Sequence, residues 1–316
     1  MTTTTTVLPP PVQQKFDAKL LSRPMQKNIH GLFAMRKELE ENVGDTLRMR
    51  RYTNLQRFPV PLGPAFLNPP TQVLNAVDID AKVQFYGTSV LITKQVTLIN
   101  EDPVLNETVS LLAQALRETE DQLIRDMLES TAAFVNAVGG TNGDNPTELT
   151  RADVDGVVAI LQNNNADFIT DYIQGEDRFG TGPVRDAYFA MASTRLIGQL
   201  EQVTGFQNKA QYPNPEKTLS AEWGTIGNVR WVLSSAGAVI PGGSMNGNDI
   251  FPSFISGQQA YAVVELNGFT AQFMYVPPVP SAADPLGLRQ YGSCRFADVP
   301  RLTNDAWLIA LRSTLS

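Results

Sequence analysis

The chain has 316 residues, 42 % hydrophobic and 18 % charged, with a net charge of −7. This is a globular composition, and a charged share below the usual figure of about one quarter points to surface meant to be covered. A single cysteine, Cys294, excludes an intrachain disulfide, and with His30 as the one histidine a zinc cluster would need carboxylates for its remaining ligands.

Met1, five threonines and Pro9-Pro10-Pro11 lack the basic start and apolar core of a secretion signal. No run of about 18 apolar residues occurs, so no membrane contact is expected. Residues 1–24 are rich in Thr and Pro, without apolar periodicity, and are expected to order only against a partner. Between Met25 and Val43, residues Ile29, Leu32, Phe33, Met35 and Leu39 recur at helical spacing before Gly44, which predicts a short amphipathic helix carrying His30.

Charge divides unevenly. Residues 1–57 hold ten basic and five acidic side chains, so this arm carries +5 and the remainder −12. A basic arm whose cations include Arg48, Arg50, Arg51 and Arg57 suits docking on acidic neighbours or facing a polyanion. The segment 57–72, RFPVPLGPAFLNPPTQ, has five prolines and two apolar clusters. Each proline removes a ladder donor, so the segment is expected to be a long projecting loop that offers Phe58, Leu62, Phe66 and Leu67 to a partner.

Val77 to Val83 alternates as a strand does, and Val90 to Leu98 continues a β-rich stretch, so two strands are expected to flank or follow an extended hairpin. From Asp102 to Val138, Leu105, Val109, Leu112, Leu116, Leu123, Met127, Phe134 and Val138 follow helical steps, with Pro103 suited to the first turn and Gly139-Gly140 as the stop. A helix of roughly 35 residues, about 50 Å long, is longer than a compact domain needs, and a spine is expected. After a Gly/Asn linker at 139–148, a helix is predicted at Asp153–Leu161, a strand at Tyr188–Met191 and a helix at Ser193–Gln202. Further strands are predicted at Asn228–Ser234, Tyr261–Leu266, Tyr291–Phe296 and Trp307–Leu311. The fold class is α+β.

Reaction chemistry finds little support. Gly180-Thr181-Gly182 precedes Pro183 rather than the lysine of a phosphate loop. Asp167, Asp171, Glu176 and Asp177 gather near Tyr172, but lack the alternating order of a calcium loop and read as solvated charges. Tyr261, Phe269, Phe273 and Tyr275 lie near no basic run and read as core. No catalytic, cofactor-binding or metal-ligating residues are expected.

Four segments carry a resemblance. NEDPVLNETVSLLAQAL (100–116), GTIGNVRWVLSS (224–235), SGQQAYAVVEL (256–266) and DPLGLRQYGSCRFADVPRL (284–302) resemble, in order, the spine-helix entry, a glycine turn into a strand, a late strand and the closing segment of tailed-bacteriophage major capsid proteins. The resemblance runs from about residue 75 to the end and is nearest to the capsid family typified by the phage N-four coat protein. It implies a Hong Kong-type phage capsid fold with an N-terminal arm (1–46), an extended hairpin loop with adjoining strands (47–100), a peripheral domain with the spine helix (101–147), an axial domain (148–283) and return strands to the peripheral domain (284–316).

The implied function is a non-enzymatic subunit that self-assembles into hexamers and pentamers of an icosahedral shell, the virion capsid, built in the bacterial host cytoplasm. Implied partners are copies of itself, cement, scaffolding and portal proteins, and double-stranded DNA met through non-specific electrostatics. An encapsulin-like compartment shell is the first alternative, and an α+β enzyme served by the carboxylates around Asp171 the second. Some relatives of this fold link subunits through a lysine on the hairpin loop; no lysine lies between Lys37 and Lys82 here, so that chemistry does not carry over to the loop.

Overall fold

A computed structural model describes residues 25–57, 71–99, 104–139, 143–169, 187–212, 219, 221–269, 271–280 and 284–315. The N-terminal segment does not form the expected helix. Ile29 and Phe33 turn inward and are fully buried, and the chain then enters strand β1 (Met35–Leu39). The helical spacing of its apolar residues comes from a turn followed by a strand, each feeding a different core. Strands β2 (Thr46–Tyr52) and β3 (Ala76–Lys82) pair antiparallel as a two-stranded ribbon. Strand β4 (Gln84–Thr93) follows, and then α1 (Lys94–Ile99), a helical turn where a continued strand was expected.

Helix α2 (Val104–Thr131) has 28 residues, about 42 Å at 1.5 Å per residue. Its buried stripe runs through Thr108, Leu112, Asp121, Ile124 and Leu128. It ends before the predicted Val138: the Ser130 and Thr131 hydroxyls both donate to the Met127 carbonyl. The chain then forms strand β5 (Ala133–Asn136), because β14 (Leu308–Thr314) offers it a parallel partner. Asp102 and Pro103 lie outside the described residues.

The remaining elements are α3 (Arg151–Asn163), β6 (Tyr188–Ser193), α4 (Ile197–Gln202), β7 (Phe206–Asn208), β8 (Glu222–Ile226), β9 (Val229–Ser234), β10 (Ile250–Ser256), β11 (Tyr261–Leu266), β12 (Gln272–Val276) and β13 (Arg289–Leu302). The predicted helix at Asp153–Leu161 falls within α3 and the predicted strands overlap β6, β9, β11, β13 and β14, whereas the predicted helix at Ser193–Gln202 starts late, because Ser193 closes β6 and Thr194–Leu196 form a tight 3-10 turn before α4. The Asp153 carboxylate starts α3, accepting the Thr150 and Val138 amides at 3.0 Å each. Gly227 opens the two-residue turn between β8 and β9 at φ +59°, a conformation that favours glycine, and at Gly224 an added Cβ would meet the Gln207 carbonyl at 2.4 Å. These glycines account for the GTIGN pattern.

One sheet has seven strands in the order β5-β14-β10-β6-β9-β8-β7. Its central strands are buried on both faces. Tyr188, Ala190, Trp231, Ile255 and Leu311 pack under α3 and α4, while Phe189, Met191, Val232, Phe254 and Ala310 pack beneath Ile29, Phe33 and the end of α2. In the second sheet β13 is central, with β4 along one edge and β11 and β12 in line along the other. Helix α2 joins the two sheets: Leu112 receives the Cys294 thiol of β13 on its carbonyl at 3.8 Å, and Ile124 and Leu128 reach the core of the first. Cys294 is thus a buried sheet residue.

Candidate functional site

The ribbon β2–β3 leaves the body at a small core in which Ala81 and Val83 meet Leu39, Val264 and Val299. An isolated two-stranded ribbon is marginal in water, and side-chain pairs across it must supply what a third strand would. Its register sets Arg48 opposite Asp80 and Arg50 opposite Asp78. Both pairs are bidentate: Arg48 donates to Asp80 at 2.7 and 3.0 Å, and Arg50 to Asp78 at 2.7 and 2.9 Å. Lys82 reaches Asp45 at 3.1 Å. Hydrogen bonds from Arg50, Arg48 and Lys82 hold the Asp78, Asp80 and Asp45 carboxyls below their ordinary range.

Of the basic residues singled out from sequence, Arg48 and Arg50 therefore carry their counter-charges within the chain. Arg51 has a longer contact, 3.8 Å to Asp305, and Arg57 is exposed at the far end. The acidic partners were missed because charge was counted by segment. The signal lay in the period-two patterns RMR and DID, which match in antiparallel register.

Beyond the strands the ribbon continues. The Thr53 amide donates to the Asn75 carbonyl, and Gln72 accepts from the Gln56 amide at 2.9 Å while donating back to the Gln56 carbonyl at 3.0 Å. Tyr52, Leu55, Val73 and Leu74 are exposed there, Val73 at 79 %. Phe58, Leu62, Phe66 and Leu67 lie outside the described residues.

A second apolar surface is the face of the β4–β13–β12 sheet turned away from α2. Even-numbered residues of β13 from Gln290 to Cys294 are buried on the helix side, so Met274 and Val276 of β12 and Leu91 of β4, which pair with odd-numbered ones, face outward. Phe85, 63 % exposed, sits edge-on to Phe269, and the Arg295 guanidinium lies 4.2 Å from the centre of the same ring. Tyr261 is core as expected, whereas Phe273 and Tyr275 are exposed on β12, an edge strand among the described residues. Exposed apolar strands of this kind mark partner sites.

Charged groups inside the body are structural. His30, expected on a helix, is fully buried, its ring Nδ1 2.8 Å from Asp121 Oδ2. Arg230 and Glu222 form a fully buried bidentate pair at 2.7 and 2.6 Å, with Tyr212 donating to the same carboxylate. Of the acidic group near Tyr172, Asp167 is described, and Asp171, Glu176, Asp177 and Gly180–Gly182 lie outside the described residues. Among the described residues no group of His, Cys, Asp or Glu is arranged to hold a metal ion, and no helix is long and apolar enough to cross a membrane.

Solved structures share this architecture along its whole length. The capsid of Ralstonia phage GP4 matches with a TM-score of 0.68 at 13 % identity, covering 100 % of this chain and 99 % of that one. The cyanophage Pam1 capsid matches at 0.70 and 13 %, covering 96 % of each chain, and the acid-stable capsid of Helicobacter pylori bacteriophage KHP30 at 0.67 and 11 %, covering 99 % and 98 %. No curated protein matches the chain. The fold is the mixed α/β fold of phage capsids, and the molecule falls in a class of structural proteins completed by contact with their own copies. The phage capsid protein family model matches residues 76–310, and the chain belongs to that family. It is a phage major capsid protein, a subunit of the virion's shell.

Proposed function

We propose that the subunit forms hexamers and pentamers of a Hong Kong-type shell enclosing double-stranded DNA, with the β2–β3 ribbon and residues 57–72 clamping a neighbouring subunit. The observation that carries this reading is the ribbon, which extends to the Gln56–Gln72 bonds with apolar side chains that stay exposed among the described residues. Closed shells need contacts within rings and between rings, so one subunit must present several different surfaces to copies of itself. Phe58, Leu62, Phe66 and Leu67 supply the clamp, each contributing roughly 1.5–3 kcal/mol on burial before ordering costs. Proline limits the freedom that the loop loses on docking.

In this reading 1–46 is the arm, 47–100 the hairpin region, 101–147 the peripheral domain with α2 as its spine, 148–283 the axial domain and 284–316 the return. Two features support α2 as a spine, its length and its contact with both sheets. Within the basic arm, Arg48 and Arg50 stiffen the ribbon, leaving Arg51 and Arg57 to face acidic neighbours or DNA. Assembly takes place in the host cytoplasm, and cement, scaffolding and portal proteins are further partners.

Replacing 57–72 by a short Gly-Ser linker tests the clamp. The body, with its own cores, keeps its circular dichroism and thermal unfolding, while sedimentation shows no shells. Normal shells from this variant, or a body that does not fold, would overturn the assignment.

A further inference from the structure

Between α2 and the second sheet, three carboxylates line one open cavity of about 220 Å³ with a single cation among them. Arg36 of β1 donates to Glu265 of β11 and, at 3.4 Å, to Glu120 of α2. Asp298 of β13, opposite Glu265 in the strand register, is the third carboxylate. Only 4 % of it is exposed, and its Oδ1 has no hydrogen-bond partner among the described residues. A buried carboxylate is costly unless it is paired and hydrogen-bonded. Burial, and then Glu120 and Glu265, push the Asp298 carboxyl up to about 7, as befits a group without a counter-charge of its own.

The group this cavity lacks is therefore a cation. Its carboxylates are not arranged to hold a metal ion. A side chain suits it better: Leu116, Phe269 and Phe296 wall the space, and apolar walls take the methylene stem of an arginine while the planar head pairs with a carboxylate.

The chain carries such a side chain where its own cavity cannot use it. Asp298 lies at the foot of the β2–β3 ribbon, since it pairs with Gln84, next to Val83, whose amide donates to the Asp45 carbonyl. From Asp45 to Arg57 the ribbon runs roughly 35–40 Å at about 3.3 Å per residue, several times the length of an arginine side chain. The Gln56–Gln72 bonds keep it paired to that point, so Arg57 does not fold back onto its own Asp298. Arg48 and Arg50 are already held by Asp80 and Asp78, whereas Arg57 is exposed and has no counter-charge among the described residues.

We propose that the cavity is the seat of Arg57 from a second copy of the chain, so that the far end of one ribbon docks at the foot of the next. This rests on the ribbon-clamp reading and names its acceptor. The guanidinium pairs with the free oxygen of Asp298 beside Glu120, and the stem lies along Phe269 and Phe296. A far-end-to-foot contact joins two different surfaces, so it passes from copy to copy and closes in a ring.

Carbodiimide coupling of full-length chain carrying Arg57→Lys, which keeps the cation, tests the contact. The reagent joins an ammonium to a touching carboxylate as an amide and takes up the water released. In particles formed from isotope-labelled and unlabelled subunits, mass spectrometry should find residue 57 joined to Asp298, Glu120 or Glu265 in peptide pairs that mix the two labels. No link to these carboxylates, or links confined to one label, would overturn the proposal. Arg57→Gln should leave circular dichroism unchanged and cut the yield of shells in sedimentation about tenfold or more; a normal yield would overturn it too. If the Gly-Ser replacement of 57–72 abolishes shells while Arg57→Gln does not, or residue 57 couples elsewhere on the neighbour, the seat falls and the clamp stands.

Discussion

Asp121 of α2 holds the N-terminal segment by accepting two hydrogen bonds from a single residue, the His30 amide at 2.8 Å on Oδ1 and the His30 ring at 2.8 Å on Oδ2. Tyr261 of β11 then donates its hydroxyl to the His30 carbonyl, so the buried turn is tied to the helix and to a sheet together.

Hydrogen bonds to a charged acceptor contribute about 1.5–3 kcal/mol each, and buried donors left without one are costly. Asp121→Ala should therefore destabilise the subunit by about 3 kcal/mol in urea unfolding, with Asp121→Asn losing about half as much because one acceptor remains. A loss below about 0.5 kcal/mol, the level of ordinary surface changes, would show the tie to be dispensable.

The Arg230–Glu222 pair is buried at both ends, with side-chain exposures of 2 % and 0 %. Removing one partner strands a charge, and Glu222→Leu should cost about 3–5 kcal/mol. Arg230→Met combined with Glu222→Leu should recover much of that loss, although Tyr212 and the Leu219 amide then lose their acceptor. A double-mutant cycle on thermal unfolding gives the coupling, and additive losses would contradict it.

Asp78 and Asp80 have their carboxyls lowered by Arg50 and Arg48. Groups lowered in this way favour the formed ribbon above the ordinary carboxylate range, and that contribution disappears as pH falls below about 4. Amide exchange in 46–52 and 76–82 should accelerate on acidification, and Asp78→Asn with Asp80→Asn should remove the dependence. Arg48→Gln with Arg50→Gln should weaken particles chiefly at low salt, since screening at high salt already weakens exposed pairs. Equal losses at both salt concentrations would argue against an electrostatic role.

Cys294 is a buried free thiol, and no lysine lies between Lys37 and Lys82. Particles boiled in detergent without reductant should run as monomers of 34.6 kDa. A ladder of resistant multimers would show a covalent link.

Legibility followed the range of the interactions. Strands β6 and β9 are buried on both faces, and YFAMAS in β6 and most of VRWVLS in β9 read as apolar runs, whereas β10, equally buried, was not predicted. Helix α3 carried its start signal in Thr150 and Asp153. What failed depended on partners far away in sequence: Ile29 and Phe33 mimic a helix until α2 is placed over them, and Phe134 continues the α2 periodicity until β14 claims it at Ala310. Phe273 and Tyr275 could not be told from core by composition: they pair with Cys294 and Gly292 on the α2 side of the sheet, yet on the edge strand β12 they stay partly exposed. The ribbon's ion pairs were legible in the alternation of both strands.

Strands β13 and β14 are each paired on both sides, in different sheets: one lies between β4 and the β11/β12 edge, the other between β5 and β10. Both come from residues 289–314, so each sheet is complete only once this late stretch of the chain is in place. A chain cut short of residue 289 lacks the strand that β4, β11 and β12 all pair with, and it leaves β5 without the partner that joins it to its sheet.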